Sequence, residues 1–218
     1  MSFKEYFRIW NQCSKEDQSM IASSLVLKKV KKQTVIHQGD LDCTGLLVIK
    51  SGQLRAYSLS EEGKEITLYR LFECDVCLFS ASCMMKSIQF ELTIEAEKET
   101  EFWVIPFDTA DYLMKKSVVF ANYINEIMSS RFSEVMWLME QIMWKSLDKR
   151  LAAFLVEESL LEETETLKIT HEKIANHLGS QREVISRMLK YFQEEGLVQL
   201  SRGSIELLDY ERLEELSE

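Results

Sequence analysis

Glycine is concentrated in two parts of the chain, and this distribution separates regions rich in turns from a long helical region. The 218-residue sequence holds seven glycines, of which four lie between Gly39 and Gly63 and none between Lys64 and Leu178. Tight turns favour glycine, and glycine weakens the interior of a helix. The sequence therefore predicts closely spaced early turns, a middle region able to form long helices, and renewed turns from Gly179 onward.

Short runs with strand character surround the first glycine cluster and continue beyond it. They are rich in β-branched and aromatic residues and are separated by turn signals. The runs are Thr34–Ile36, Gly45–Ile49, Gln53–Tyr57, Ile66–Tyr69, Phe90–Ile94 and Glu101–Ile105. We expect an α+β protein whose N-terminal domain is an antiparallel, jelly-roll-like β-roll, preceded by a helix near Phe3–Leu27.

From about residue 110 to residue 146 the apolar residues follow a helical period. One row alternates in steps of four and three, as in a coiled-coil seam. This row comprises Ile124, Met128, Arg131, Val135, Leu138 and Ile142, and continues to Lys145. A second row comprises Ile127, Phe132, Met136, Met139 and Met143. Two apolar rows favour a helix that packs on the roll and pairs with its twin in a homodimer; the alternative is a long core helix in a monomer.

The C-terminal segment alternates short helices with one hairpin. Asp148 is a plausible N-cap for a helix through Leu151–Leu161. A strand, two helices separated by a turn, a hairpin and a short last helix follow in order. Their predicted ranges are Leu167–Ile169, Thr170–Leu178, Ser180–Glu195 and Leu197–Leu200 with Ser204–Leu208. Ser180 with Glu183 matches a capping box, so a new helix is expected to begin there.

The second of these helices carries a polar face whose chemistry suits a DNA major groove. Arginine can bind the acceptor pair of guanine, glutamate can accept from the cytosine amine, and Ser, Gln and Lys suit phosphates or flexible base contacts. The candidate DNA-binding residues are Thr170, Ser180, Gln181, Arg182, Glu183, Ser186, Arg187, Lys190 and Arg202. The alternative is that this face is an ordinary mixed-charge surface of a helical hairpin. The β-hairpin around Arg202 favours the DNA-binding interpretation, because it stands where a wing would lie.

The stretch THEKIANHLGSQREVISRMLK, residues 170–190, resembles the winged helix-turn-helix of the Crp/Fnr family of bacterial transcription regulators. VIHQGD, LLVIKSGQLRAY and EGKEI, beginning at residues 35, 46 and 62, resemble the roll of its sensor domain. The resemblance covers nearly the whole chain. It implies a sensor domain over residues 1–109, a dimerisation helix over 110–146 and a DNA-binding domain over 147–218.

By the same resemblance the protein is a homodimer that binds a palindromic double-stranded DNA site and acts with RNA polymerase, while an effector in the roll alters the pose of the DNA-binding domains. The base readers would be Arg182, Glu183 and Arg187. Ser186 beside Arg187 is closer to the fumarate–nitrate regulator branch than to the cyclic-AMP branch.

Charge argues against a general nucleic-acid coat but leaves a local site open. The net charge is −10, and residues 148–218 hold nine Lys or Arg against sixteen Asp or Glu. Residues 181–190 nevertheless hold three basic residues and one acidic residue. We therefore expect weak long-range steering and an affinity that rests on local contacts and dimer geometry.

The sequence argues against cyclic AMP as the effector. Cyclic-nucleotide members of the family carry a cassette with a Gly-Glu pair and an arginine that neutralises the phosphate. The corresponding stretch, Glu73–Thr93, has no glycine and no arginine, and Lys86 is its only cation. We expect an effector that is neutral, apolar or metal-based, or a change in thiol state.

Cysteines offer a second reading of the sensor. Cys74, Cys77 and Cys83 have the spacing C-x2-C-x5-C, which resembles the trio that iron–sulfur members of the family carry near the N-terminus. Here the trio lies inside the roll instead, and the resemblance implies Cys13 or Cys43 as a fourth ligand. The same residues could instead be a redox thiol group or small buried hydrophobes. The alternative function is therefore a redox- or ligand-sensing module that acts mainly through protein contacts; an enzyme that uses the cysteines is a third option.

Other chemistry is absent from the sequence. His171 and His177 are six residues apart, whereas a zincin helix needs two histidines four apart on one face. Apart from the cysteines, no catalytic constellation, phosphate loop, metal motif, membrane span or secretory signal is apparent. Five cysteines, an odd number, fit a reducing cytoplasm better than a disulfide scaffold. We expect a cytoplasmic protein that is not an enzyme.

Overall fold

The computed structural model describes residues 2–38, 45–78 and 92–218, and every structural statement below concerns these ranges. The chain divides into two compact units. The first comprises Met1–Leu59 and Leu68–Val135, and the second comprises Ser60–Thr67 and Met136–Glu218. The Cys43, Cys83 and Lys86 predictions lie outside the described residues.

The first unit contains most of the strands and the first helices. Two 3₁₀ turns come first, at Phe3–Glu5 and Trp10–Gln12. The helices are α1 Lys15–Ser24, α2 Phe107–Lys116 and α3 Val118–Trp144, the last of which continues into the second unit. The strands are β1 Val26–Val30, β2 Val35–Gln38, β3 Leu46–Ser51, β4 Leu54–Leu59, β5 Glu65–Leu71, β6 Val76–Cys77, β7 Thr93–Ala96 and β8 Thr100–Ile105.

Two four-stranded sheets form the predicted β-roll. One has the strand order β1-β8-β3-β6 and the other the order β2-β7-β4-β5. Alternate residues of β3 and β8 face opposite sides, as the period of two in a strand requires. Leu47 and Phe102 join a core with residues of the second sheet, whereas Val48 and Trp103 pack with the N-terminal segments and α3. The first sheet is therefore covered on both faces.

The N-terminal helix prediction was wrong at its C-terminal end. Phe3–Leu27 is two short turns and α1, and Val26 and Leu27 belong to β1, where they pair with Val104 and Trp103. β1 forms because β8 offers it a free edge with backbone partners, which a helical reading of the local sequence does not take into account.

The long helix predicted from residue 110 to residue 146 is two helices. Ser117 separates α2 from α3 with extended backbone angles. Its hydroxyl donates to Asp17 Oδ2 at 2.8 Å, which ties the break to α1. The break therefore coincides with a tertiary hydrogen bond between residues 100 positions apart.

The second unit contains the remaining elements. They are α4 Leu147–Glu162, β9 Thr166–Leu167, α5 His171–Leu178, α6 Arg182–Glu194, β10 Val198–Ser201, β11 Ser204–Leu207 and α7 Tyr210–Ser217. The three strands form one antiparallel sheet in the order β10-β11-β9. Ser146, not Asp148, is the N-cap of α4; Asp148 lies in the first turn, and its hydrogen bond to Ser146 lowers its pKa. Among the described residues, no helix combines the length and the apolar character needed to span a bilayer.

Candidate nucleic-acid interface

Helices α5 and α6 and the turn between them form a helix-turn-helix. The Thr170 hydroxyl caps α5 by accepting from the backbone N–H of Lys173 at 3.2 Å. The helix ends at Gly179, whose φ of 65° lies in the left-handed region that favours glycine. Ser180 then donates its backbone N–H to Ala175 at 3.0 Å, which closes the turn.

Helix α6 begins one residue later than its predicted capping box. Its N-cap is Gln181, and no side chain caps it, so the Ser180–Glu183 box is wrong. The physical reason is the turn itself: because Ser180 belongs to the closure of α5, it is not in the N-cap position of α6. Glu183 nevertheless lies in the first turn of α6, as expected.

A shared core holds the two helices together. Ile174 and Ala175 of α5 are buried with Ile185, Leu189 and Phe192 of α6. The small Ala175 side chain lets the helices approach closely, and the apolar face of α6 matches the predicted inward face. The opposite face of α6 is consequently left on the surface.

The predicted DNA-binding residues lie along this surface. Gln181, Arg182, Glu183, Arg187 and Lys190 are exposed, whereas Ser180 and Ser186 are half-buried. None of the exposed five appears in a salt bridge among the described residues, so their charges and hydrogen-bonding groups face solvent.

The predicted wing is a tight hairpin. Strands β10 and β11 pair antiparallel, with Ser201 opposite Ser204 and the exposed Arg202 at the tip. Gly203 has a φ of 80°, which only glycine adopts readily. The wing is tied to α6, since Leu200 donates its backbone N–H to Gln193 Oε1 at 2.8 Å.

Sequence reasoning missed one residue of this surface. His171, at the start of α5, places its ring Nδ1 2.8 Å from Ser186 Oγ of α6. Burial, and next the positive charge of Arg182, lower the pKa of His171. The signal was available in principle, because His171 is the first residue of α5 and Ser186 lies one turn into α6.

An open cleft of about 500 Å³ adjoins this surface. Its lining comprises Asp148 from α4 and Val184, Arg187, Met188 and Tyr191 from α6. The cleft places the acidic first turn of α4 beside the guanidinium that the sequence predicts to bind a base.

Helix α3 uses its two apolar rows differently from the prediction. Ile124 is only 5% exposed, and Met128 packs against the same core. Arg131 donates to Glu134 at 2.7 Å and lies over the Tyr69 ring at 4.8 Å. Ile124 and Arg131 are thus used largely inside the protomer, whereas Met128 is half-buried and keeps part of its surface.

The C-terminal half of α3 instead carries a row of exposed apolar side chains. Phe132 is 68% exposed, Met139 46% and Ile142 42%. Two tryptophans on another face of the helix, Trp137 and Trp144, are also exposed. An unpaired helix with this much apolar surface is a candidate for association.

The described cysteines do not converge on one site. Cys77 lies in the core between the two sheets of the roll, whereas Cys74 packs against the core on the other face of the first sheet. Burial raises the pKa of Cys74 and of Cys13, which disfavours the thiolate that a metal needs. Within the described ranges, no group of three or more His, Cys, Asp or Glu could hold a metal ion.

Comparison with known proteins gives this arrangement a family. Residues 27–117 match the cyclic nucleotide-binding domain, and residues 149–216 match the Crp-like helix-turn-helix domain. The chain is 31% identical over 179 residues to regulatory protein HlyX of Actinobacillus pleuropneumoniae, covering 78% of this chain and 73% of that protein. The chain belongs to the Crp/Fnr family. It is also 29% identical over 195 residues to the fumarate and nitrate reduction regulatory protein of Yersinia pestis, covering 86% of this chain and 76% of that one.

A solved structure of high similarity agrees. A protein from Eubacterium rectale assigned to the Crp/Fnr transcriptional regulators is 62% identical, with a TM-score of 0.96 over 98% of this chain and 99% of that one. The predicted fold class, a roll followed by a long helix and a winged helix-turn-helix, is confirmed. This Crp/Fnr protein is a transcription regulator with a DNA-binding motif and is not an enzyme.

Proposed function

We propose that this Crp/Fnr regulator is a homodimer that reads a palindromic DNA site with α6, and that its roll answers a signal other than a cyclic nucleotide. The observation that carries the proposal is the exposed polar row at the start of α6, from Gln181 to Lys190, on a helix whose other face is buried.

Each side chain of the row suits a part of the groove. Arg182 and Arg187 present guanidinium forks that match the two acceptors of guanine, and Glu183 can accept from the cytosine amine. Lys190 and Arg202 are single exposed cations suited to phosphates on either side of the groove. Helix α6 with its wing therefore offers both base-reading and backbone-binding groups.

The salt dependence of DNA affinity tests this assignment. Fluorescence anisotropy is measured with a duplex that the protein selects from a randomised library. The affinity should fall steeply as salt rises, because lysine and arginine side chains displace counterions from the DNA phosphates when the protein binds. Lys190→Ala should reduce the slope of log affinity against log salt by about one. Arg212→Ala is the matched control, since Arg212 lies on α7 and pairs with Glu195. A salt-independent affinity would contradict the proposal.

The surface of α3 supports a second copy of this chain as the dimer partner. The exposed and half-buried apolar positions Met128, Phe132, Val135, Met139 and Ile142 alternate in steps of four and three, which is the spacing of a two-helix seam. In this refined seam, Phe132 and Met139 take the places that the sequence assigned to Arg131 and Leu138.

Two features of the roll support an effector other than a cyclic nucleotide. The space between the sheets is packed with apolar side chains such as Ile49, Leu71 and Val104. Arg70, a buried cation, is paired with Glu97 at 3.1 Å, so its charge is already offset. Binding a cyclic phosphate there would require a fixed cation to replace its hydration.

Calorimetric titration tests this part of the proposal directly. Cyclic AMP and cyclic GMP should give no saturable heat at millimolar concentration. Saturable binding in the micromolar range would contradict it. The same protein, purified without oxygen, should show no visible absorbance from an iron–sulfur cluster, because Cys77 lies on the opposite face of the first sheet from Cys13 and Cys74.

Action on RNA polymerase completes the proposed function. Transcription in vitro from a promoter that carries the selected duplex should change when the protein is added, and the sign of the change distinguishes an activator from a repressor. Arg187→Ala should weaken either response at the same protein concentration.

A further inference from the structure

Ser186 is held by two hydrogen bonds at the point where it would meet DNA. Its Oγ lies 2.8 Å from the carbonyl oxygen of Arg182, one turn earlier in α6. The same Oγ lies 2.8 Å from Nδ1 of His171, the first residue of α5. Ser186 is half-buried, so part of the hydroxyl still faces the exposed surface of the helix.

The count of protons in this cluster settles which group donates. A serine hydroxyl has one proton and two lone pairs. Because a carbonyl oxygen can only accept, the Ser186 proton is donated to Arg182. The bond to His171 must therefore run the other way, from an Nδ1–H of the ring to a lone pair of Ser186. One lone pair of the hydroxyl is left.

We propose that His171 is a positioning residue that makes Ser186 a hydrogen-bond acceptor toward the major groove. An acceptor pairs there with an exocyclic amine and not with the acceptor atoms of guanine or thymine. Every base pair has one such amine in the major groove, on cytosine or adenine, so an acceptor favours the base pairs that place this amine beside Ser186. His171 thereby sets the base preference at one position of the site without touching the base. This inference rests on the proposed function, since it requires α6 to enter the groove.

Loss of the ring would release the hydroxyl. Without His171, Ser186 loses one of the two bonds that hold its Oγ, so its side chain can turn to other rotamers in which the hydroxyl presents its proton rather than a lone pair to the groove. Since one neutral hydrogen bond alters an equilibrium by about 2- to 10-fold, the preference for amine-bearing bases should fall by about that factor. His171→Asn keeps an N–H near the position of Nδ1 and should restore the preference.

Protonation of the ring leaves the arrangement intact. Burial and the facing charge of Arg182 lower the pKa of His171 and favour the neutral ring at neutral pH. The neutral ring with its proton on Nδ1 and the doubly protonated ring both donate from Nδ1. The base preference set by Ser186 should therefore be the same at about pH 8 and about pH 5.5, even where the overall affinity changes.

The experiment measures base preference position by position. The probe is the duplex that the wild-type protein selects from a randomised library, synthesised with each of the four base pairs at every position of one half-site. Affinities are measured for the wild type, Ser186→Ala, His171→Ala, His171→Asn and the double variant with both alanines. Thermal unfolding confirms that each variant is folded, and His171→Asn provides the second test if His171→Ala does not fold.

Ser186→Ala should erase a preference for cytosine or adenine at one position, and His171→Ala should weaken the preference at that same position by about 2- to 10-fold. The double variant should match Ser186→Ala alone. Equal effects of His171→Ala at all positions, an unchanged base preference in Ser186→Ala, or a preference that shifts between the two pH values would overturn the inference. A wild-type protein that binds no duplex would instead refute the proposed function.

Discussion

Truncating Phe132 should break the dimer seam while leaving each protomer folded. Phe132 is 68% exposed in the protomer, so it contributes little to the protomer's own core. Full burial of a phenylalanine side chain stabilises by about 1.5–3 kcal/mol, so burying its exposed share contributes about 1–2 kcal/mol. A symmetric dimer buries two copies, and Phe132→Ala should therefore cost about 2–4 kcal/mol of dimer stability, or a 30- to 800-fold rise in the dimer Kd.

Sedimentation velocity over a range of protein concentrations measures this Kd. Trp137→Ala is the matched control, because Trp137 is 60% exposed and lies about 140° around the helix from Phe132. The control should leave the Kd unchanged. Equal shifts for the two variants, or a wild-type protein that is a monomer at micromolar concentration, would refute the assignment of the seam. When Phe132→Ala weakens the dimer, the affinity for a full palindrome should fall as well. The affinity for an isolated half-site should stay the same.

Three further predictions concern the DNA-binding unit. Arg187→Ala should reduce the binding free energy for the selected duplex by about 1–3 kcal/mol and relax the preference at one base pair. In competition binding, Lys190→Ala should lower the affinity for all DNA sequences about equally. The opposite pattern would exchange the roles of the two residues. Gly179→Ala should lower the free energy of unfolding by about 1–2 kcal/mol, because alanine is strained at a φ of 65°. Thermal unfolding measures this loss, and an unchanged unfolding midpoint would show that the turn relaxes. The folded-state pKa of His171 lies below its unfolded value, so the unfolded chain takes up a proton first, and stability should fall as pH drops below about 6.5. His171→Asn should remove this part of the pH dependence; a slope that persists would assign it to another group.

Local pattern was enough to predict the helix-turn-helix and its wing. Gly179 and Gly203 stand where the backbone needs a positive φ, and the apolar residues of α6 recur at helical spacing. Both signals are carried by neighbours within one turn of the chain, so no distant contact is required to read them. Strands β2 to β5, β7 and β8 of the roll were predicted for the same reason, since alternation and turn residues are local, whereas β1 and the two-residue β6 were not.

Elements that depend on distant partners were misread. Val26 and Leu27 join a strand because β8, more than seventy residues later, supplies their hydrogen bonds. Ser117 breaks the long helix where its hydroxyl bonds to Asp17. The capping box predicted at Ser180 was wrong because the backbone N–H of Ser180 is hydrogen-bonded to Ala175 at the end of α5.

By itself, the amino-acid sequence determined that α3 has two apolar faces and that α6 has one polar face, because the helical period of 3.6 residues assigns each side chain to a face. Only the tertiary structure decided which face of α3 is buried: Ile124 and Arg131 turn toward the protomer, and Phe132 stays outside. Only the tertiary structure brought His171 to Ser186, across two helices. Periodicity defines directions around a single helix axis, whereas the partner in each direction depends on how separate elements pack.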